Sequence, residues 1–170
     1  MKVNIKLLVL DVDGTLTDGT IFHGNQCIEL KAYNVKDGLI LKALADLGIE
    51  VVFLTGRTSE ATSVRAKELN AVAIQGVDDK LSVLTKLLLE RGIDYKSCAY
   101  FGDDMNDYEV MSKCGFKACP SDAAKEIIEI CDYVSSKNGG KGAVRDICEV
   151  LLQKCGMYGD FLALYNARDM

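Results

Sequence analysis

Short apolar runs alternate along this chain with longer segments of helical period, and that alternation restricts the fold more than any other feature of the sequence. Ile5–Leu10, interrupted only by Lys6, reads as a buried strand, as do Glu50–Leu54, Ala71–Ile74, Cys98–Phe101, Phe116–Ala118 and Tyr133–Val134. Between them, Asp37–Leu47 carries apolar residues at 39, 40, 41, 43, 44 and 47 and stops at Gly48, the pattern of a helix. Ser59–Leu69, with Ser59 as N-cap, and Asp78–Arg91, stopped by Gly92, read the same way. Met105–Lys113, Ala123–Ile130 and Gly142–Lys154 complete the helices. Thr20–His23 and Cys27–Tyr33 flank Gly24-Asn25, which predicts a hairpin. Strands alternating with helices predict an α/β, doubly wound (Rossmann-like), mostly parallel sheet covered on both faces, with a small β-hairpin flap at about 17–36.

Composition narrows the function. The 170 residues carry 20 Lys and Arg against 25 Asp and Glu, a net charge of -5, so a general nucleic-acid surface is not expected. No apolar run approaches the roughly 18 residues of a membrane span, and the N-terminal run reads as a strand rather than a signal peptide. Seven cysteines (Cys27, Cys98, Cys114, Cys119, Cys131, Cys148 and Cys155), odd in number and without a CxxC spacing, read as reduced, mostly buried thiols of a cytoplasmic protein. A single histidine, His23, excludes His-rich metal sites and makes His-based nucleophilic catalysis an unpromising reading. Chemistry falls to carboxylates, lysine, threonine or a metal.

Open parallel sheets bind ligands beyond the carboxyl ends of their strands. There the first strand is followed by Asp11-Val12-Asp13-Gly14-Thr15, the second by Thr55-Gly56-Arg57, and the fourth by Gly102-Asp103-Asp104, with Asp107 a turn further on. Taken singly, each has a plain reading: a strand-end Asp as a turn residue or cap, Thr55-Gly56 as a turn, Lys80 as a solvated helix lysine. Their convergence on one edge is what points to chemistry. Asp11 and Asp13, two apart in an extended chain, project to one side and repel unless a cation intervenes. Carboxylate oxygens suit Mg2+, which keeps waters and leaves room for a phosphate. A metal held by Asp11 and Asp103 leaves Asp11 to act as nucleophile and Asp13 as general acid in phosphoryl transfer. Lys80, opening a helix, supplies positive charge. Thr55 offers a hydroxyl and a backbone N–H to phosphate, and Gly14 and Gly56 allow close backbone approach.

Asp11-Val12-Asp13-Gly14-Thr15-Leu16, Leu54-Thr55-Gly56-Arg57, Lys80 and Gly102-Asp103-Asp104-Met105-Asn106-Asp107 together resemble, in order, the four motifs of the haloacid dehalogenase-like superfamily. The resemblance implies Asp11 as nucleophile, Asp13 as acid/base, and Thr55 and Lys80 as phosphate ligands. It implies Mg2+ bound by the Asp11 side chain, the Asp13 backbone carbonyl and Asp103, with Asp104 and Asp107 as supporting or alternative partners. Over residues 5 to about 150, Thr17-Asp18-Gly19, Lys31-Ala32-Tyr33-Asn34-Val35-Lys36-Asp37-Gly38, Gln75-Gly76-Val77-Asp78-Asp79-Lys80 and Gly139-Gly140-Lys141-Gly142-Ala143-Val144-Arg145 are similar to 3-deoxy-D-manno-octulosonate 8-phosphate phosphatases. That branch usually carries Phe at 33 and Glu at 146, where this chain has Tyr33 and Asp146. The related phosphatases of nine-carbon, sialic-acid-type 9-phosphates share most of these motifs. Arg57 favours the eight-carbon branch, since some nine-carbon enzymes carry Glu there. From another class, a phosphoacceptor receiver domain also combines acids, Mg2+ and Lys on such a sheet, but its acceptor Asp closes the third strand. A silent scaffold would not keep every chemical residue.

The gap from Thr55 to Lys80 leaves room for one helix and one strand, and the gap before it for the hairpin and one helix, so no cap domain is expected. The reading is one domain over 1–156 with a tail at 157–170 that docks on a neighbour or frays. In capless relatives a neighbour's hairpin covers the site of a homotetramer, a role that would suit Ile21, Phe22 and Ile28. Lys31, Arg57, Arg65 and Lys141 are the candidate cations for a sugar-acid phosphate substrate, with Arg57 placed to fork onto its carboxylate.

Overall fold

The computed structural model describes residues 3–24 and 29–167. Six parallel strands form one sheet in the order β5-β4-β1-β6-β7-β8, where β1 is Leu7–Leu10, β4 Glu50–Leu54, β5 Val72–Ile74, β6 Cys98–Phe101, β7 Phe116–Cys119 and β8 Tyr133–Val134. β2 (Phe22–His23) and β3 (Glu29–Leu30) pair antiparallel as the hairpin, Phe22 opposite Leu30. Its expected turn at Asn25, together with Cys27 and Ile28, lies outside the described residues. Helices α1 (Val35–Asp46), α2 (Glu60–Glu68), α3 (Lys80–Arg91), α4 (Met105–Lys113), α5 (Lys125–Ile130), α6 (Ala143–Cys155) and α7 (Tyr158–Ala163) surround the sheet.

The period-2 alternation of each strand sorts the core into two layers. Leu8, Leu10, Val51, Phe53, Ala99 and Phe101 pack toward α1 and α6. Leu7, Val9, Val52, Leu54, Cys98 and Tyr100 pack toward α3 and α4. Both faces are buried, which is why the central strands read as continuous apolar runs.

Strand order locates the site. The chain runs outward from β1 through β4 to β5 and then crosses back to β6 on the other side of β1. The crevice at this switch point lies between β1 and β6, whose carboxyl ends lead into Asp11 and Asp103. Among the described residues no cap domain interrupts the fold: only α2 and β5 lie between β4 and α3.

Local chemistry moves several boundaries. α1 begins at Val35 because the Asn34 side chain accepts from Lys36 N–H at 2.8 Å, and α3 begins at Lys80 because Asp79 accepts from Ser82 N–H at 2.9 Å. Ser59 does occupy the N-cap of α2, but its buried hydroxyl caps nothing and has no hydrogen-bond partner. Within the tail, residues 158–163 are helical. They form α7, which packs on α6 of the same chain, with Phe161 in the core and its ring 5.0 Å below the Arg145 guanidinium. The six described cysteines are all free thiols. Among the described residues no helix is long and apolar enough to cross a membrane.

Candidate active site

Strand parity decides what Asp11 meets. The β1–β6 ladder pairs Val9 with Tyr100 and continues past the strand end, with Asp11 N–H donating to Phe101 O at 2.9 Å. Asp11 therefore emerges on the face of Val9 and Tyr100, the face covered by α3 and α4. Lys80, the first residue of α3, reaches it there: Nζ donates to Asp11 Oδ1 at 2.6 Å and to Asp107 Oδ1 at 2.7 Å. Asp107, in the first turn of α4, is fully buried. It also accepts from the Tyr100 hydroxyl at 2.7 Å and from Asp103 N–H at 3.3 Å. Asp103 in turn accepts from the Thr15 hydroxyl at 2.8 Å.

One oxygen from each of Asp11, Asp103 and Asp107 falls within a 4.8 Å group, a hard-oxygen donor set suited to a divalent cation. Two glycines permit the crowding: a Cβ at Gly14, whose φ is +101°, would overlap the Asp103 carboxylate, and one at Gly102 would come within 2.6 Å of Asp107 Cγ. The electrostatics match. Burial, and then the Asp107 charge, push Asp11 up to about 8 although Lys80 opposes them. Burial, opposed by the Thr15 hydrogen bond, and the Asp107 and Asp104 charges push Asp103 up to about 7. Burial works against the Lys80 cation, yet Asp11 and Asp107 hold its ammonium above the ordinary lysine range. Lys80 pairs with only two of the three carboxyl groups, and a bound cation would take the place of the protons that burial holds on Asp11 and Asp103.

Asp13 stands apart, which corrects the picture of Asp11 and Asp13 repelling on one side. The chain turns over after Val12, whose carbonyl accepts from Leu16 and Thr17 N–H at 3.0 Å, so strand alternation no longer applies at Asp13. Repulsion on Asp11 comes from Asp107 and Asp103 instead. The Asp13 carboxylate contacts Lys31, which reaches over from the end of the hairpin just past β3, and its Oδ2 is buried without a hydrogen-bond partner.

The remaining predicted residues divide. Thr55 is buried at the end of β4, and its hydroxyl accepts from Arg57 N–H at 3.3 Å. Its backbone N–H already donates to Ile74 O at 3.1 Å, so only the hydroxyl is available to a ligand, contrary to expectation. Gly56 opens the exposed turn after it. Arg57 leans to the hairpin and pairs with Glu29 at 2.5 Å. Lys141 pairs with Asp18 at 3.1 Å and stays exposed. Asp104 is exposed and caps α4 through Met105 N–H at 2.8 Å. Arg65 is not brought to the site: it donates to Asn34 O at 3.2 Å, pairs with Glu68 at 3.1 Å and lies over the Tyr33 ring, tying α2 to the start of α1. Tyr100, Thr15 and Glu29 escaped the sequence reading as site residues. Tyr100 looked like one more apolar strand position, and only its parity with Cys98 could have flagged it.

A sheet of this order with acids at β1 and β6 and a lysine opening α3 is the architecture of a haloacid dehalogenase-like hydrolase, and the family model of that description matches residues 73–147. The chain is 43% identical over 150 residues to the 3-deoxy-D-manno-octulosonate 8-phosphate phosphatase of Salmonella typhi, covering 88% of this chain and 80% of that protein. It superposes with a TM-score of 0.91 and 40% identity on the crystal structure of the Moraxella catarrhalis 3-deoxy-D-manno-octulosonate 8-phosphate phosphatase in complex with magnesium, phosphate and KDO, covering 95% of this chain and 94% of that one. The cobalt-bound Haemophilus influenzae deoxy-D-mannose-octulosonate 8-phosphate phosphatase matches with a TM-score of 0.87 and 34% identity over 93% of both chains. The chain belongs to this 3-deoxy-D-manno-octulosonate 8-phosphate phosphatase family of haloacid dehalogenase-like hydrolases.

Proposed function

We propose that the chain is a Mg2+-dependent phosphatase that hydrolyses 3-deoxy-D-manno-octulosonate 8-phosphate to the free sugar acid and phosphate. The observation that carries this reading is the Asp11–Lys80–Asp107–Asp103 cluster at the β1/β6 switch point, in a fold shared with a relative crystallised with magnesium, phosphate and KDO. The metal would be held by the Asp11 and Asp103 carboxylates and the Asp13 main-chain carbonyl. When bound, it supplies positive charge that offsets the carboxylates and the incoming phosphate.

The chain's own residues then divide the work. Lys80 fixes Asp11 Oδ1, which leaves Oδ2 to attack phosphorus. As the aspartyl-phosphate forms, the ester oxygen departs and takes a proton from Asp13. Asp13 then removes a proton from water, whose oxygen attacks the phosphorus and returns Asp11 as the carboxylate. Lys80 and the Thr55 hydroxyl hold phosphate oxygens, and an incoming phosphate competes with Asp13 for the Lys31 ammonium. Arg57, at the outer edge, meets the sugar carboxylate.

The enzyme works as a homotetramer in the cytoplasm. Its free thiols suit a reducing compartment. Phe22 and Leu30, 52% and 60% exposed on the hairpin, are apolar surface that a neighbour would cover. The test of the reaction is phosphate release from the eight-carbon substrate with Mg2+ and after chelation. Full activity of an Asp11→Asn variant would overturn the nucleophile.

A further inference from the structure

A site for a substrate that carries both a phosphate and a carboxylate has no direct use for a further carboxylate, yet β3 places one at its mouth. Glu29 is nearly buried, 12% exposed. Its Oε2 accepts from Arg57 Nη2 at 2.5 Å and its Oε1 lies 3.1 Å from Lys31 Nζ. Lys31 also contacts Asp13. A chain of alternating charge, Asp13–Lys31–Glu29–Arg57, thus joins the loop after β1, the hairpin and the loop after β4. Strand geometry explains the pairing: Glu29 and Lys31 are two apart and share a side, while Leu30 between them faces solvent.

Lysine and arginine side chains lose much rotamer freedom when fixed, and a carboxylate between them fixes both before substrate arrives. We infer that Glu29 is a positioning residue that holds Lys31 and Arg57 as two pre-oriented cations, Lys31 beside Asp13 for the phosphate and Arg57, 43% exposed, for the carboxylate at the far end of the substrate. This rests on the phosphatase reading above. The rival role, a plain negative charge at the mouth, predicts the opposite sign. Neutralising a mere charge strengthens the binding of anions, whereas removing a positioner weakens it.

Glu29→Gln keeps shape and removes charge, and is measured in the full-length, Mg2+-loaded enzyme beside Glu29→Ala, with thermal melting as a check on folding. KM and kcat are compared for the eight-carbon sugar-acid phosphate and for para-nitrophenyl phosphate, which lacks the carboxylate, and inorganic phosphate is titrated as inhibitor. The expected result is a KM raised about tenfold on the sugar-acid phosphate, a smaller rise on para-nitrophenyl phosphate, weaker phosphate inhibition, and kcat within about threefold of wild type. In an Arg57→Ala background the same substitution raises KM less, because one of its two clients is gone. A KM that is unchanged or lowered, phosphate inhibition that is unchanged or stronger, or a loss confined to kcat overturns the inference. If wild type hydrolyses para-nitrophenyl phosphate but not the sugar-acid phosphate, the substrate assignment fails while phosphate inhibition of the Glu29 variants still decides the positioning role.

Discussion

Tyr100→Phe is the sharpest probe of the buried network. The phenol lies wholly inside the core, and its hydroxyl donates at 2.7 Å to Asp107 Oδ1, the same oxygen that Lys80 holds. The substitution keeps the ring, so the packing against β1 and α4 persists and almost no cavity opens. What is lost is one hydrogen bond to a buried carboxylate, worth about 1.5–3 kcal/mol. For a domain of this size each kcal/mol moves the melting temperature by roughly 2–4 °C, so a fall of about 3–12 °C is expected. Asp107 keeps Lys80 and the Asp103 N–H, so turnover falls several-fold rather than vanishing. Differential scanning calorimetry with and without Mg2+, beside a steady-state phosphate-release assay, measures both effects. A melting temperature within 1 °C of wild type, by the roughly 2–4 °C per kcal/mol scale, would refute the claim that the phenol supports the acid cluster.

Further outcomes follow from the same geometry. With burial holding Asp11 at about 8 and Asp103 at about 7, the folded metal-free protein binds protons more tightly than the unfolded chain, so its stability falls as pH rises from about 4 to about 8. Added Mg2+ offsets the loss, by more at higher pH because binding displaces those protons; a pH-independent Mg2+ increment in thermal melts would contradict this. Gly14→Ala both strains a φ of +101° and drives a methyl into the Asp103 carboxylate, so calorimetric Mg2+ titration should show affinity lowered at least tenfold, and unchanged affinity would count against the close approach. Asp13→Asn, which has no proton for the leaving oxygen, should form the phosphoenzyme slowly and not turn it over, seen by trapping labelled phosphate on the protein; normal turnover would remove Asp13 from the acid/base role. Sedimentation at micromolar concentration should give about four times the 18.5 kDa chain mass, and a monomer mass would end the shared-cover idea.

The fold was legible because burial on both faces of a parallel sheet leaves its mark on each strand as an apolar run, and glycine or polar residues mark each stop. Asp11, Lys80 and Asp103 were legible because strand-end chemistry is confined to one edge. Side-chain direction was not. The turn after Val12 separates Asp13 from Asp11, and no spacing in Asp-x-Asp announces it. Asp107, ranked as a supporting residue, stands in the middle of the acid cluster because α4 returns it beneath Asp103. Charge alone makes Arg65 a candidate, and packing between α1 and α2, which one sequence does not display, ties it elsewhere. Glu29 hid for the opposite reason, since its charge has the wrong sign for the ligand and makes sense only once Lys31 and Arg57 are seen on either side of it.

The substrate assignment is tested most directly by kcat/KM, measured side by side with Mg2+ on 3-deoxy-D-manno-octulosonate 8-phosphate and on a nine-carbon sialic-acid-type 9-phosphate. We expect at least tenfold preference for the eight-carbon ester, abolished by chelation and restored by Mg2+. Equal efficiency, or preference for the nine-carbon ester, would contradict the assignment.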